Sequence, residues 1–325
     1  MSHAIRMHTT GGPEVLQWEE VEVGAAGDNE VLLRQTAVGL NFIDTYHRSG
    51  LYPVGDLPSG LGVEGAGVIE EVGSGVTDLS VGDRVAYAGG PIGAYSERRV
   101  LPAERLVKVP AGVEDATAAA MMLKGLTTHY LVRRCYEVGR ADTILVHAAA
   151  GGVGLMLCQW AKSLGATVIG TVGTPEKAAL AGAHGCDHPI LYRDEDFVAR
   201  VRELTDGVGV PVVYDSVGKD TFDGSLDCLR PLGLMVTFGQ SSGSVPPFPV
   251  HELTPRGSLF LTRPTLASYT ATREQLLANA AQLFEVVSSG AVKIEVNQTH
   301  PLRDAAQAHR DLESRRTTGA TVLLP

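Results

Sequence analysis

Ala149, Gly151 and Gly154 occupy the first, third and sixth places of Ala149-Ala150-Gly151-Gly152-Val153-Gly154. That is the spacing of a glycine-rich phosphate loop, with alanine in the first glycine place. The chemistry open to such a loop is the grip of a pyrophosphate. A residue without a side chain at Gly151 lets the phosphates approach the backbone, and one at Gly154 lets the following helix pack closely on its strand. A helix that starts near Gly152 and runs through Val153 offers unpaired amides and the positive end of its dipole to an anion. The glycines alone would also fit a tight turn with no ligand. Their setting, between the apolar run TILVHAA, an amphipathic segment and a second apolar run TVIGTVG, favours a dinucleotide.

The end of the second run separates the two nicotinamide cofactors. An NAD site places an Asp or Glu there for the ribose hydroxyls. Here the sequence reads Thr171-Val172-Gly173-Thr174, with no acid at its tip and Lys177 within the next turn. An uncharged strand end beside a cation suits the 2′-phosphate of NADPH. The plainer reading makes Lys177 a solvated lysine at a helix start, with Glu176 beside it. Further on, Ser216 and the stretch Phe238-Gly239-Gln240-Ser241-Ser242 follow the fourth and fifth apolar runs. Ligands gather at such carboxyl ends in doubly wound sheets.

These residues need a scaffold, and the pattern of the chain supplies one. Residues 1 to about 110 read as short strands with frequent turns (EVLLRQTAVGLN, GAGVIEEVGSGV, GDRVAYAG), the signature of a small β-barrel or sandwich. After EDATAAAMMLKGLTTHYLVRR, which is helical in composition, six near-continuous apolar runs alternate with helical stretches. They are TILVHAA, TVIGTVG, HPILYR, VPVVYDSVG, GLMVTFGQ and GSLFLTRP. Such runs predict strands buried on both faces of a parallel sheet. From about Pro264 the chain returns to helix, strand, helix and a last strand, GATVLLP, expected to pack back on the N-terminal module.

Composition sets the outer limits. A chain of 325 residues, 44% hydrophobic and 20% charged, predicts roughly two domains of an α/β protein. A net charge of −10 argues against a general nucleic-acid or membrane-surface binder. Cys135, Cys158, Cys186 and Cys228 are too far apart for a CxxC motif, so reduced thiols are expected. With no apolar signal core in MSHAIRMHTTGGPEVLQW, the expectation is a soluble cytoplasmic protein.

The stretches HAAAGGVGLMLCQWAK, NFIDTYHRSGLYP, GVEGAGVIEEVGSGV and VVYDSVG resemble the zinc-lacking NADPH:quinone oxidoreductases. These are the ζ-crystallin-like family of the medium-chain dehydrogenase/reductase superfamily. The likeness covers almost the whole chain, and AAAGGVG followed by Gln159 and Lys162 is its most specific part. It implies a GroES-like catalytic domain over 1–125 and 265–325, a Rossmann domain over 126–264, and a homodimer.

The same resemblance locates the departures from the zinc alcohol dehydrogenases of the superfamily. Their three catalytic ligands fall on Asn41, Val63 and Leu123, and their proton-relay pair on Ile43 and Tyr46. None of the first three is a usual N or S ligand of zinc. Without a metal alkoxide, alcohol oxidation is disfavoured. The expected acceptor is a quinone, whose product oxyanion is delocalised, or next an activated enone; orientation of the nicotinamide then carries much of the rate.

The family resemblance also implies roles for individual residues. Phe42, Ile43, Asp44, Thr45, Thr127 and Tyr130 would line the nicotinamide end, with Thr127 bonding the carboxamide or ribose. Asn41, Tyr46 and Tyr52 would border a flat acceptor, since aromatic faces stack on quinone rings. Against this, Asn41 and Asp44 are also suited to cap a turn, and the tyrosines to form wall or core. Lys177, Tyr192 and Arg315 would surround the adenosine phosphate, with Arg316 next door leaving the register open. Phe260, Thr262 and Arg263 match cofactor-proximal positions or a strand that pairs across a dimer. Glu64 is expected to be structural. Two rival functions stay open: a reductase of α,β-unsaturated carbonyls on the same scaffold, and a cofactor-binding or crystallin-like protein with little turnover.

Overall fold

The structure, a computed structural model, describes residues 2–325. The chain divides into two compact units. One comprises the residues up to Leu126 together with Thr270–Ser288 and Ile294–Pro325; the other comprises Thr127–Tyr269 and Ser289–Lys293.

The first unit opens with β1 (Ser2–Met7), β2 (Gln17–Val21), β3 (Glu30–Leu40) and α1 (Phe42–Ser49). It continues through β4 (Ser59–Gly60), β5 (Glu64–Val72), β6 (Arg84–Ala88), β7 (Arg98–Pro102) and β8 (Val107–Lys108), then enters α2 (Asp115–Tyr130). The second unit contains β9 (Thr143–Val146), α3 (Gly152–Ser163), β10 (Thr167–Val172), α4 (Pro175–Ala183), β11 (His188–Leu191) and α5 (Phe197–Leu204). After these come β12 (Val210–Asp215), α6 (Phe222–Asp227), β13 (Leu229–Thr237), β14 (Phe260–Thr262) and α7 (Leu266–Tyr269). The first unit is then completed by α8 (Arg273–Ser288), β15 (Val296–Pro301), α9 (Ala305–Glu313) and β16 (Ala320–Leu324).

In the first unit, seven strands form one sheet in the order β15-β16-β3-β5-β6-β8, with β7 also paired to β3. A smaller sheet runs β2-β1-β4. The closing strand does return to the N-terminal module: β16 pairs antiparallel with β3, Val322 opposite Gly39. Alternation along β3 sends Val31 and Leu33 inward, where they join Ile5, Met7, Ile69, Val85, Tyr95, Leu101 and Leu323 in one apolar core.

In the second unit the order is β11-β10-β9-β12-β13-β14, and every pair is parallel. That is the doubly wound order, with the chain reversing direction across the sheet between β9 and β12. All six residues of β12 are buried, as a central strand covered on both faces requires. Val210 and Val213 of this strand share one core with Leu145, Ile169, Ile190, Phe222, Leu229 and Met235. The fifth strand is longer than its apolar run suggests. It starts at Leu229 and carries Leu232 at φ 59° before the apolar stretch begins. Among the described residues, no helix is long and apolar enough to cross a membrane.

Candidate active site

In the second unit the turn after β9 lies at the point where the sheet reverses. Its geometry depends on four backbone hydrogen bonds and two glycines. His147 N–H donates to Tyr214 O (3.0 Å) and Ala149 N–H to Thr171 O (3.1 Å), which ties the turn to β12 on one side and β10 on the other. Gly151 N–H closes onto Ala148 O (2.9 Å), and Leu155 N–H returns to Gly151 O (2.9 Å) as the helix begins. Gly151 is the N-cap of α3, extended at φ −80° and ψ 174°, with no side chain to satisfy the first amides of the helix. A Cβ at Gly154 would overlap Ala148 O and lie 2.7 Å from the Ala149 carbonyl carbon, so only glycine fits there. A Cβ at Gly151 would meet nothing but Ala148 O, at 3.2 Å, so the space over this residue is open. Both features suit a pyrophosphate laid on the turn. Alanine in the first glycine place also has its reason. Its methyl faces Gly170 of β10, where an added Cβ would come within 2.6 Å of it.

His147 beneath the turn is buried between Thr171 Oγ1 and Ser225 Oγ, each 2.9 Å from a ring nitrogen. Burial pushes its pKa down, with Asp215 opposing. Asp215 in turn accepts from Val217 N–H, Gly218 N–H and Thr221 Oγ1, at 2.7, 3.0 and 2.7 Å, and so fixes the turn that carries Ser216.

The predicted coenzyme residues of this unit fall into two groups. At the end of β10, Gly173 lies under the Tyr192 ring: a Cβ on it would be 2.9 Å from the phenol oxygen. Thr174 caps α4, its Oγ1 accepting Lys177 N–H at 3.3 Å, and Lys177 is half-buried. Gly173, Thr174, Lys177 and Tyr192 are therefore neighbours. The second group lies past β12 and β13. Ser241 N–H donates to Ser216 O (3.2 Å) and Ser242 N–H to Val217 O (2.9 Å), while Phe238 N–H donates to Asp215 O (2.8 Å). Arg263 Nη1 donates to Thr237 O and Gly239 O, each at 3.3 Å, and to Thr237 Oγ1 at 3.2 Å. Ser216, Phe238–Ser242 and Arg263 thus form one cluster, with Gln240 buried within it. Thr262 pairs with Val236 near this end of the sheet, while Phe260 sits two residues earlier, opposite Leu234, and is 59% exposed. Thr127 and Tyr130 lie on the last turns of α2. Tyr130 bonds Thr127 and stacks on Tyr269, with centroids 4.5 Å apart at 12°.

In the first unit, Asn41 is the N-cap of α1, which presents Phe42, Ile43, Asp44, Thr45 and Tyr46 in sequence. Asp44 is wholly buried, and its Oδ2 accepts Asn41 N–H at 2.9 Å. The capping role foreseen for this pair is therefore realised. Thr45 Oγ1 donates to Phe42 O at 2.7 Å. Tyr46 packs between Phe42 (6.4 Å) and Tyr52 (5.3 Å, edge-on), and both tyrosines remain half-buried. Arg315 follows α9 at φ 59°.

Sequence reasoning missed how the three positions matching superfamily zinc ligands are filled. Glu64, next to Val63, accepts Asn41 Nδ2 (2.7 Å), Leu123 N–H (2.6 Å) and Lys124 Nζ (3.0 Å). Carboxylate, ammonium and amide thus lie together, with the Glu64 and Lys124 side chains 0% and 8% exposed. The signal was a lysine inside the apolar run MMLKGL, a placement that requires a partner. His184 and His188 stand four residues apart. However, His184 Nδ1 is bonded to Leu180 O, and no group of metal-ligating side chains converges among the described residues.

Two family models match the chain: "Alcohol dehydrogenase GroES-like domain" over residues 27–111 and "Zinc-binding dehydrogenase" over residues 152–283. The second description refers to zinc, yet its segment contains none of Asn41, Val63 and Leu123. A Pseudomonas aeruginosa quinone oxidoreductase is 57% identical over 325 residues, covering 100% of both chains. A 2-haloacrylate reductase from a Burkholderia species is 50% identical, covering 100% of this chain and 99% of its own. The crystal structure of Escherichia coli quinone oxidoreductase complexed with NADPH superposes with a TM-score of 0.98 at 50% identity, over 99% of this chain and 100% of the other. The chain belongs to the quinone oxidoreductase family of the medium-chain dehydrogenases/reductases.

Proposed function

We propose that this chain is an NADPH-dependent reductase of quinones that works by metal-free hydride transfer. The observation that carries the reading is the 57% identity, end to end, with the Pseudomonas aeruginosa quinone oxidoreductase. NADPH is supported by the complexed Escherichia coli relative and by the acid-free end of β10 beside Lys177. Bound NADPH supplies the hydride from its nicotinamide ring.

The residues of the chain bind and orient. Gly151 and the amides of Gly152, Val153 and Gly154 receive the pyrophosphate, over a turn that Ala149 holds against Gly170. Gly173, Thr174, Lys177 and Tyr192 take the adenosine 2′-phosphate, with Arg315 as second cation. Ser216, Phe238–Ser242, Phe260, Thr262 and Arg263 belong to the coenzyme side. Phe42, Ile43, Asp44, Thr45, Thr127 and Tyr130 are assigned to the nicotinamide end, and Asn41, Tyr46 and Tyr52 to the acceptor. An amide, a valine and a leucine at the ligand positions offer zinc no donor set. The acceptor must therefore take hydride unaided and then gain a proton, which a quinone does.

The 2-haloacrylate reductase at 50% identity supports a second reading, reduction of α,β-unsaturated carbonyls. Steady-state NADPH oxidation against 1,4-benzoquinone, 1,4-naphthoquinones and 2-enones decides. Turnover on enones faster by a wide margin would replace the quinone assignment. The homodimer belongs to this proposal too. The sheet of the second unit ends at β14, whose Phe260 and Leu261 are 59% and 39% exposed, an apolar edge suited to pairing with its symmetry mate. A cytoplasmic location is supported by four unpaired cysteines.

A further inference from the structure

A chain of buried hydrogen bonds runs through the first unit and ends on Asp44. Arg48, near the end of α1, is almost fully buried. Its guanidinium donates to both oxygens of Glu313 (2.9 and 2.7 Å), to Gly11 O (3.1 Å) and, through Nη1, to His309 Nδ1 (2.9 Å). Arginine only donates, so Nδ1 accepts and the neutral ring carries its proton on Nε2. Burial, with Arg48 adding to it, keeps that ring neutral by pushing its pKa down to about 3. Tyr95 Oη, 3.0 Å from Nε2, must accept there, and its single proton goes to Asp44 Oδ2, 3.0 Å away. The order Arg48 to His309 to Tyr95 to Asp44 has only one possible polarity. Asp44 Oδ2 receives two donors, Tyr95 Oη and Asn41 N–H, while the buried Oδ1 has no partner.

We propose that Tyr95 and His309 are positioning residues of the reductase, which hold the Asp44 carboxyl and through it the start of α1, whose cap Asn41 and whose Tyr46 are assigned to the acceptor. The inference rests on the assignment of Asn41 and Tyr46 to the acceptor side. Its physical content is that the chain decides which oxygen of Asp44 is committed and which is left to carry a proton. The groups that face Asp44 are Tyr95, Lys124, Glu64 and Tyr87, with His309 and Arg48 behind Tyr95 and Arg99 on Tyr87. Burial pushes the Asp44 carboxyl up to about 7, against the pull of the Asn41 amide, Tyr95 and Lys124. Near neutral pH the carboxyl therefore exchanges a proton. That proton sits on Oδ1, because Oδ2 is filled. In the carboxylate form a second negative charge stands beside Glu64 at the entry to α1.

The experiment is the pH profile of kcat/KM for 1,4-benzoquinone at saturating NADPH, in the wild type, Tyr95→Phe, His309→Gln and His309→Ala, with NADPH affinity measured alongside by fluorescence. Tyr95→Phe removes a donor that favours the carboxylate, so the break set by Asp44 moves up by roughly half a unit or more. The quinone KM rises several-fold, by more than any loss of NADPH affinity, because the phosphate grip of the coenzyme is assigned to the second unit. His309→Ala moves both readouts the same way. His309→Gln, whose amide can accept from Arg48 and donate to Tyr95, restores both. Should the alanine variant fail to fold, the nearly isosteric Tyr95→Phe carries the test alone. A Tyr95→Phe enzyme with wild-type KM and an unshifted break overturns the inference and leaves the quinone assignment standing. A wild type that oxidises NADPH with no quinone removes that assignment, and the inference with it.

Discussion

Lys124 Nζ stands 3.0 Å from Glu64 Oε2, both side chains almost completely excluded from solvent. Two charges taken out of water depend on each other. Removing one member of such a pair typically costs about 3–5 kcal/mol, because the other is left buried and uncompensated. Glu64→Gln and Lys124→Met should each lower unfolding free energy by about that much in urea denaturation. The double variant should recover part of the loss. Additive losses would show that the two groups do not act as a pair.

The two glycines of the phosphate turn should respond differently. At Gly154 an added methyl collides with the backbone of Ala148 and Ala149, which cannot yield without moving the turn. Gly154→Ala should therefore lose stability and NADPH binding together. At Gly151 the methyl meets only Ala148 O at 3.2 Å, so Gly151→Ala should stay within about 1 kcal/mol of wild type in denaturation. It should nonetheless weaken NADPH tenfold or more, on the order of 1.4 kcal/mol, because the methyl occupies the approach of the pyrophosphate. Thermal melts and fluorescence titrations of both variants separate the two effects.

The coenzyme preference has its own test in Lys177. If its ammonium meets the 2′-phosphate, Lys177→Ala should weaken NADPH by about 1.5–3 kcal/mol and leave NADH almost unchanged. An equal loss for both dinucleotides would show that Lys177 supports the helix start at Thr174 instead.

The second unit was far more legible in the sequence than the polar interior of the first. Six apolar runs and one glycine spacing predicted a parallel sheet with a phosphate turn between its first strand and the following helix, because strand burial and backbone clearance are local properties of the residues involved. Phe238–Ser242 could be placed near Ser216 for the same reason, since both follow adjacent strands. The Glu64–Lys124 pair and the chain through Tyr95 and His309 were not legible. Arg48 and Glu313 are 265 residues apart, and Tyr95 and His309 are 214 apart. No periodicity connects residues at such distances. Only the packing of α9, which follows β15, against the opening module brings them together. Asp44 could be read as a cap from its position three residues after Asn41, but not as the end of a buried chain.

Asp44 and His309 also make a prediction about stability against pH, in which the two effects hide each other. Folding raises the Asp44 pKa from its ordinary 3.8 to about 7, so the folded state holds a proton that the unfolded chain releases above pH 3.8. Taken alone, this group makes the protein lose stability as pH rises through that window. Folding lowers the His309 pKa from 6.5 to about 3, so the unfolded chain binds a proton that the folded ring refuses. Alone, this group makes the protein lose stability as pH falls below 6.5. Between pH 3.8 and 6.5 each state of the pair binds one proton, on Asp44 when folded and on His309 when unfolded, and linkage requires a flat contribution. Single variants should uncover the slopes. Relative to wild type, Asp44→Asn should lose stability toward acid and His309→Gln should lose it toward neutral pH, each by up to tenfold in the unfolding constant per pH unit. Urea titrations at half-unit steps across the window measure both. Variants that run parallel to wild type would mean that neither group departs from its ordinary pKa in the folded protein.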